Sequence, residues 1–244
     1  MPSETLQIPT AAGPADAFAA YPDGGERHPA VLMYPDGFGL RPVLREMAAQ
    51  LAGHGYYVLV PNIFHRHGPA PVLDLPDHIG EDVRPALFAR LMPMIEAHTP
   101  ERVLSDAAAY LAFLTNRPEV AAGPVAVTGY CIGGLLALRT AAAHPGRVAA
   151  LAAFHAPVHA DGPAPFSRLT ARVHLAHAEG DLTPESLADL NRTLVTAGVE
   201  GTSEIYPATT HGFTMRDTAA FNAPALQRHW DNLLPLLTRT LRPT

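Results

Sequence analysis

Residues 124 to 134 read Pro-Val-Ala-Val-Thr-Gly-Tyr-Cys-Ile-Gly-Gly, and Cys131 within them is the only cysteine of the 244-residue chain. A short β-branched run ends in Gly-x-Cys-x-Gly, and a Leu/Ala-rich stretch from Leu135 to Ala143 follows at once. This is the layout of a strand, a sharp turn presenting a nucleophile, and a helix, with sulfur where such elbows usually carry a serine oxygen. The turn strains its central residue and brings strand and helix close together, so Gly129 and Gly133 are where β-carbons would collide. The helix behind the turn aims its positive end at the sulfur, which favours a thiolate and any oxyanion formed nearby. A buried structural cysteine is the alternative, and the flanking glycines weigh against it. The stretch predicts an α/β fold with a mostly parallel sheet flanked by helices on both faces, and covalent hydrolysis as its chemistry.

The same glycines only partly match the Gly-x-Gly-x-x-Gly of dinucleotide-binding folds: Cys131 occupies the middle glycine position. The next apolar run, Val148 to Phe154, ends in His155 rather than in the acidic residue that would hold a ribose. With 48% hydrophobic residues, 244 residues suffice for one sizeable core, so residues 1–244 are read as a single domain. A net charge of −6 without a Lys/Arg block argues against nucleic acid and anionic membranes as partners, and no apolar run reaches spanning length. The amino-terminal residues carry no secretory pattern and one cysteine forms no internal disulfide, which points to a cytoplasmic protein acting on small molecules.

Strand-like and helix-like segments alternate along the chain. An edge hairpin is expected from Gln7–Pro9 and Ala15–Ala20, then strands at 30–34, 56–60, 148–154, 172–177 and 202–206. Helices are expected near 41–53, 100–116, 184–197 and 222–241, with Trp230, Leu233, Leu234 and Leu237 as core anchors of the last. Residues 62–99 interrupt this rhythm with five prolines, four histidines and two glycines. So long a connection is read as a lid-like insertion at the catalytic edge.

A thiol nucleophile needs a base, and the base needs an orienting acid. In doubly wound hydrolases they follow in that order, each on a loop after a strand. Asp181 follows the strand at 172–177, and His211 follows the one at 202–206, within Thr-Thr-His-Gly-Phe. Asp181 has an alternative use as cap of the helix near Pro184, with Glu179 a competing acid. The pairs His65/His67 and His174/His177 lack a matching carboxylate or cysteine, so no metal site is expected.

Together, Gly129-Tyr130-Cys131-Ile132-Gly133-Gly134, Asp181 followed by Pro184, and His211-Gly212-Phe213 resemble the dienelactone hydrolase family. Asp36-Gly37-Phe38-Gly39 and Val60-Pro61-Asn62-Ile63-Phe64 extend the resemblance over nearly the whole chain. It implies an α/β-hydrolase fold and cofactor-free hydrolysis of a small ester or lactone, in the type enzymes an anionic one, through Cys131, His211 and Asp181. It also implies that Asp36 contacts and helps activate the thiol; as an Asp-Gly pair, Asp36-Gly37 equally reads as a turn. The backbone N–H of Ile132, with that of Gly37 or Phe38, is the expected oxyanion hole. Arg66, Arg84 and Arg216 are candidate cations for an anionic substrate, and Tyr130 and Phe213 complete the substrate-binding candidates. A catalytically weak binding protein on the same fold, a general carboxylesterase and a redox-sensing thiol are the competing readings.

Overall fold

Ala30-Val31-Leu32-Met33-Tyr34 and Tyr57-Val58-Leu59-Val60-Pro61 are buried at every position, because a strand with helices on both faces has no solvent side. The computed structural model describes residues 1–242. Its strands are β1 (Ser3–Thr10), β2 (Gly13–Ala20), β3 (Ala30–Tyr34), β4 (Tyr57–Pro61), β5 (Val125–Tyr130), β6 (Val148–Phe154), β7 (Arg172–Ala178) and β8 (Gly201–Tyr206). The helices are α1 (Pro42–Gly53), α2 (Arg84–Glu96), α3 (Pro100–Thr115), α4 (Ile132–Ala143), α5 (Pro184–Thr196) and α6 (Ala223–Leu241). The strands form one sheet in the order β1-β2-β4-β3-β5-β6-β7-β8. From β4 to β8 all neighbours run parallel, and the antiparallel β1–β2 hairpin closes one edge. This is the expected mostly parallel sheet, and Pro9 lies on the edge strand, where its missing N–H breaks no inner ladder.

Alternation along each strand divides the core in two. Leu32 and Tyr34 join the cluster under α3 and α4, whereas Val31 and Met33 join the one under α1 and α6. Trp230, Leu233 and Leu237 anchor α6 as its spacing predicts; Leu234 is only partly buried, and Leu236 takes the remaining core position. Helix α4 is apolar on nearly all sides, with nine of its residues buried. A helix so enclosed fixes the direction of the turn that enters it.

The insertion is more ordered than its prolines suggest. Its second half is α2, begun by Pro85 in the first turn and held down by Leu87 and Leu91 at helical spacing. Pro93 falls in the last turns, where the helix ends three residues later. Ile79 ties the first half to the loop before α6, donating its N–H to Asp217 (2.7 Å) and accepting from Ala219 (3.1 Å).

Buried histidines sit on both faces of the sheet, His174 and His229 on the α6 side and His177 on the other. The His174 and His177 side chains are three residues apart on β7 and so face opposite sides of the sheet; they bond Thr202 (2.9 Å) and Ser203 (3.1 Å) respectively. His229 bonds the Tyr130 hydroxyl at 3.0 Å. Burial lowers His174 and His177 to about 4 and His229 to about 3. The folded state therefore refuses protons that the unfolded chain takes up below its ordinary 6.5. Urea midpoints measured from pH 7 to pH 4 are expected to fall progressively below pH 6.5, and a flat profile would contradict this assignment.

Candidate active site

Cys131 stands between β5 and α4 with φ 53° and ψ −126°, a strained conformation for a residue with a side chain. The glycines around it are fixed by proximity. A β-carbon on Gly129 would strike the carbonyl of Gly133, and one on Gly133 would strike the carbonyl of Pro35. Backbone atoms offer no flexible end that could yield. Gly129→Ala is expected to destabilise the fold by at least the upper end of the about 1–3 kcal/mol typical of overpacking. Denaturant melts read this directly, and a wild-type midpoint would refute the close approach.

Asp181 and His211 reach each other from consecutive post-strand loops, after β7 and β8. Thr183, not Asp181, caps α5: its Oγ1 accepts the Ser186 N–H at 3.2 Å. Glu179 is occupied by the Ala208 N–H at 2.8 Å. Asp181 is thus left for His211, whose Nδ1 lies 2.9 Å from its Oδ1, while Oδ2 accepts the Ala178 N–H at 3.2 Å. Burial alone would lower the pKa of His211, but Asp181 on one side and Cys131 on the other carry it up to about 10. Burial works the opposite way on Asp181 and is outweighed by His211 and the Ala178 N–H, so its carboxyl falls below its ordinary range. The His211 contribution to stability is complete below its ordinary 6.5 and fades as pH rises through about 10. That of Asp181 is present above 3.8 and fades in acid.

Cys131 and His211 line one small cavity of about 10 Å³ with Asp36, Phe38, Arg84, Phe88, His155 and Met215, among others. A larger open groove of about 780 Å³ runs beside Asp181, lined by His159, Phe166, Leu182 and Leu190, but neither Cys131 nor His211 borders it. The candidate residues Cys131 and His211 border the small cavity alone.

The candidate residues separate clearly. Arg84 lines the cavity; its Nη2 donates to the His211 carbonyl at 3.1 Å and its guanidinium lies 5.5 Å from the Phe88 ring centre. Arg66 is instead held by Asp106 at 2.5 and 2.9 Å. Arg216 points to solvent with Glu46 at 3.8 Å. Tyr130 and Phe213 are fully buried, Tyr130 against Phe154 and His229 and Phe213 against His155 and Tyr206, so neither faces the cavity. All four are candidates from sequence; Asp106 claims Arg66, packing claims Tyr130 and Phe213, and Arg216 faces solvent.

Of the two readings of Asp36, the hydrogen bonds fit the turn: the Gly39 N–H donates to its carbonyl at 2.9 Å. Arg41, 4% exposed, uses all five of its N–H groups around it. Nη1 and Nη2 bond Asp36 at 2.5 and 3.0 Å, Nε and Nη2 bond Asp217 at 2.6 and 3.1 Å, and Nη1 also reaches the Gly39 carbonyl at 3.2 Å. Both Asp36 oxygens are therefore committed to Arg41, and among the described residues no hydrogen bond joins them to Cys131. The Phe38 N–H is taken as well, donating to Asp36 Oδ1 at 3.1 Å, which leaves Gly37 as the second backbone donor candidate beside Ile132.

Sequence reasoning missed Arg41 and passed over His155. Arg41 directly precedes α1, and no local pattern marks it out. His155 carried a legible signal: it ends the strand next to the elbow strand, at the same edge.

The chain matches the family model of the dienelactone hydrolases over residues 15–241. It belongs to the dienelactone hydrolase family. A carboxymethylenebutenolidase of a Pseudomonas species is 34% identical over 116 residues, 48% of this chain and 45% of that protein. One from Rhodococcus opacus is 32% identical over 120 residues, covering 49% and 41%. These matches span less than half of either relative. A putative carboxymethylenebutenolidase of Synechocystis is 24% identical over 99% of this chain and 96% of its own. Among solved structures, a putative dienelactone hydrolase from Klebsiella pneumoniae superposes with TM-score 0.83 at 19% identity over 98% of both chains, which shows the α/β-hydrolase fold. No helix among the described residues is long and apolar enough to cross a membrane.

Proposed function

We propose that this member of the dienelactone hydrolase family hydrolyses a small ester or lactone through a thioester on Cys131. The observation that carries the reading is the line Asp181–His211–Cys131: His211 Nδ1 lies 2.9 Å from Asp181 Oδ1, and the ring meets Cys131 at the mouth of a helix. Asp181 fixes the tautomer and orientation of His211, which holds the proton given up by Cys131. The sulfur attacks the carbonyl carbon, and the oxyanion is met by the backbone N–H groups of Ile132 and Gly37. As the C–O bond breaks, His211 gives its proton to the departing oxygen. Water then surrenders a proton to His211, attacks the thioester and releases the acid, and the thiolate is restored.

Arg84 supports a carboxylated substrate. It has no ion-pair partner among the described residues and lines the reactive cavity, so it suits a substrate carrying a carboxylate near the scissile bond. Cys131 and His211 are both partly exposed, so a substrate can reach the sulfur from solvent beside Phe88 and Arg84. A panel of lactones and neutral or carboxylated esters tests the reading. Arg84→Met is expected to raise KM about tenfold or more for carboxylated substrates while leaving neutral ones within about threefold. Equal effects on both would favour a general carboxylesterase.

The proton on His211 must be present for the leaving group to depart. The value of about 10 therefore predicts that kcat/KM falls as pH rises through that point. A rate that keeps rising to pH 11 would contradict the assignment of His211 as the acid.

A further inference from the structure

Among the described residues, three other than glycine carry a left-handed φ: Cys131 at 53°, His155 at 41° and Ala208 at 55°. The first two stand side by side. Tyr130 pairs with Phe154 across β5 and β6, so the residues that follow them emerge together at the carboxyl edge and line the same cavity. Such a conformation persists in a residue with a side chain only where the surroundings over-determine it. At His155 they do: the side chain is completely buried and its N–H donates to the Ala176 carbonyl at 2.7 Å.

The contacts of His155 converge on the histidine loop. Its ring centre lies 5.2 Å from that of His211 with the planes at 67°, and 5.0 Å from that of Phe213 at 77°. Its Nε2 is 2.8 Å from the hydroxyl of Thr214, which is itself fully buried. One side chain thus touches the first, third and fourth residues of the segment 211–214. Its Nδ1 is buried without a hydrogen-bond partner among the described residues. Burial, with His211 beside it, keeps the pKa of His155 well below the ordinary value, so the ring remains neutral while His211 is charged.

We propose that His155 is a positioning residue: its neutral ring, tethered by Thr214, is the wall that holds the His211 imidazole in line between Asp181 and Cys131. This rests on the triad reading above. A plain apolar side chain would fill the space but would lack the tether to the loop that His211 belongs to. Misplacing a catalytic group by about 1 Å costs on the order of 100-fold in rate, so the wall acts on turnover and not on substrate affinity.

The test is steady-state hydrolysis of p-nitrophenyl acetate, with enzyme concentration set by alkylatable Cys131 and fold checked by circular dichroism. His155→Asn keeps a residue that tolerates the left-handed backbone and removes the ring; it is expected to lower kcat about tenfold or more with KM within about threefold. Thr214→Val is expected to lower kcat about three- to tenfold, Thr214→Ser to recover most of that loss, and the double variant to be no worse than His155→Asn alone. A merely structural role would lower the melting temperature and leave kcat per folded molecule unchanged. A kcat within about twofold of wild type in His155→Asn, or a loss confined to KM, overturns the proposal. Should that variant fail to fold, the Thr214 pair decides, and equal rates in Thr214→Val and wild type overturn it. Wild-type enzyme that shows no acylation of Cys131 overturns the triad reading and this proposal together, whereas normal acylation with unaltered variants overturns the positioning role alone.

Discussion

Cys131→Ala is expected to lower kcat for an activated ester by about 10⁴-fold or more, down to whatever the oxyanion donors and His211 achieve with water alone. The size of the loss follows from the geometry. The side chain at 131 is the proposed nucleophile, its backbone is strained, and the helix and His211 are arranged around it. Fold and melting temperature should change little, because alanine is smaller and the elbow glycines remain. Cys131→Ser retains the shape but replaces the thiol by a far weaker acid, whose proton His211 must take as a base during attack. Its activity is expected to lie well below wild type. An alanine variant retaining a tenth of the activity would favour the non-catalytic readings of the thiol.

Arg41→Met is expected to cost about 3–5 kcal/mol, the penalty for leaving a buried charge without its partner. Asp36 is 4% exposed and Asp217 is partly buried, and both lose a two-bond partner at once. The clamp joins the loop after β3, which carries Gly37, to the loop after β8, which carries His211. Turnover should therefore fall along with stability. Adding Asp36→Asn to Arg41→Met removes one stranded charge and is expected to restore part of the lost stability, which urea melts of the single and double variants can measure. A double variant less stable than the single one would mean that Asp36 serves some purpose other than pairing with Arg41.

The sheet, its order of strands and helices, and the elbow were legible because each rests on local pattern: apolar runs broken by glycine and proline, and glycines forced by close approach. Asp181 and His211 were legible because their order and loop placement are dictated by the fold. Helix α2 was obscured by five prolines in its neighbourhood, although Leu87 and Leu91 were spaced to bury one face. The second layer of the site was not legible for a physical reason. The Arg41–Asp217 pair spans 176 residues and His155–Thr214 spans 59, and no local pattern encodes such partnerships. The same distance explains the misplaced candidates. Arg66 and Arg216 sat in plausible stretches, but Asp106 holds the first and solvent the second. Asp36 stood where a thiol contact was expected, and a guanidinium five residues on had claimed it.

The claim that carries the rest is a covalent bond between substrate and Cys131. Intact-protein and peptide mass spectrometry after rapid acid quench, with a slowly turning-over ester, measures it directly. An acyl mass on the peptide containing Cys131, formed at a rate no slower than turnover and absent from Cys131→Ala, is the predicted result. Turnover of the same ester without such an adduct, or an equal rate in Cys131→Ala, would contradict it.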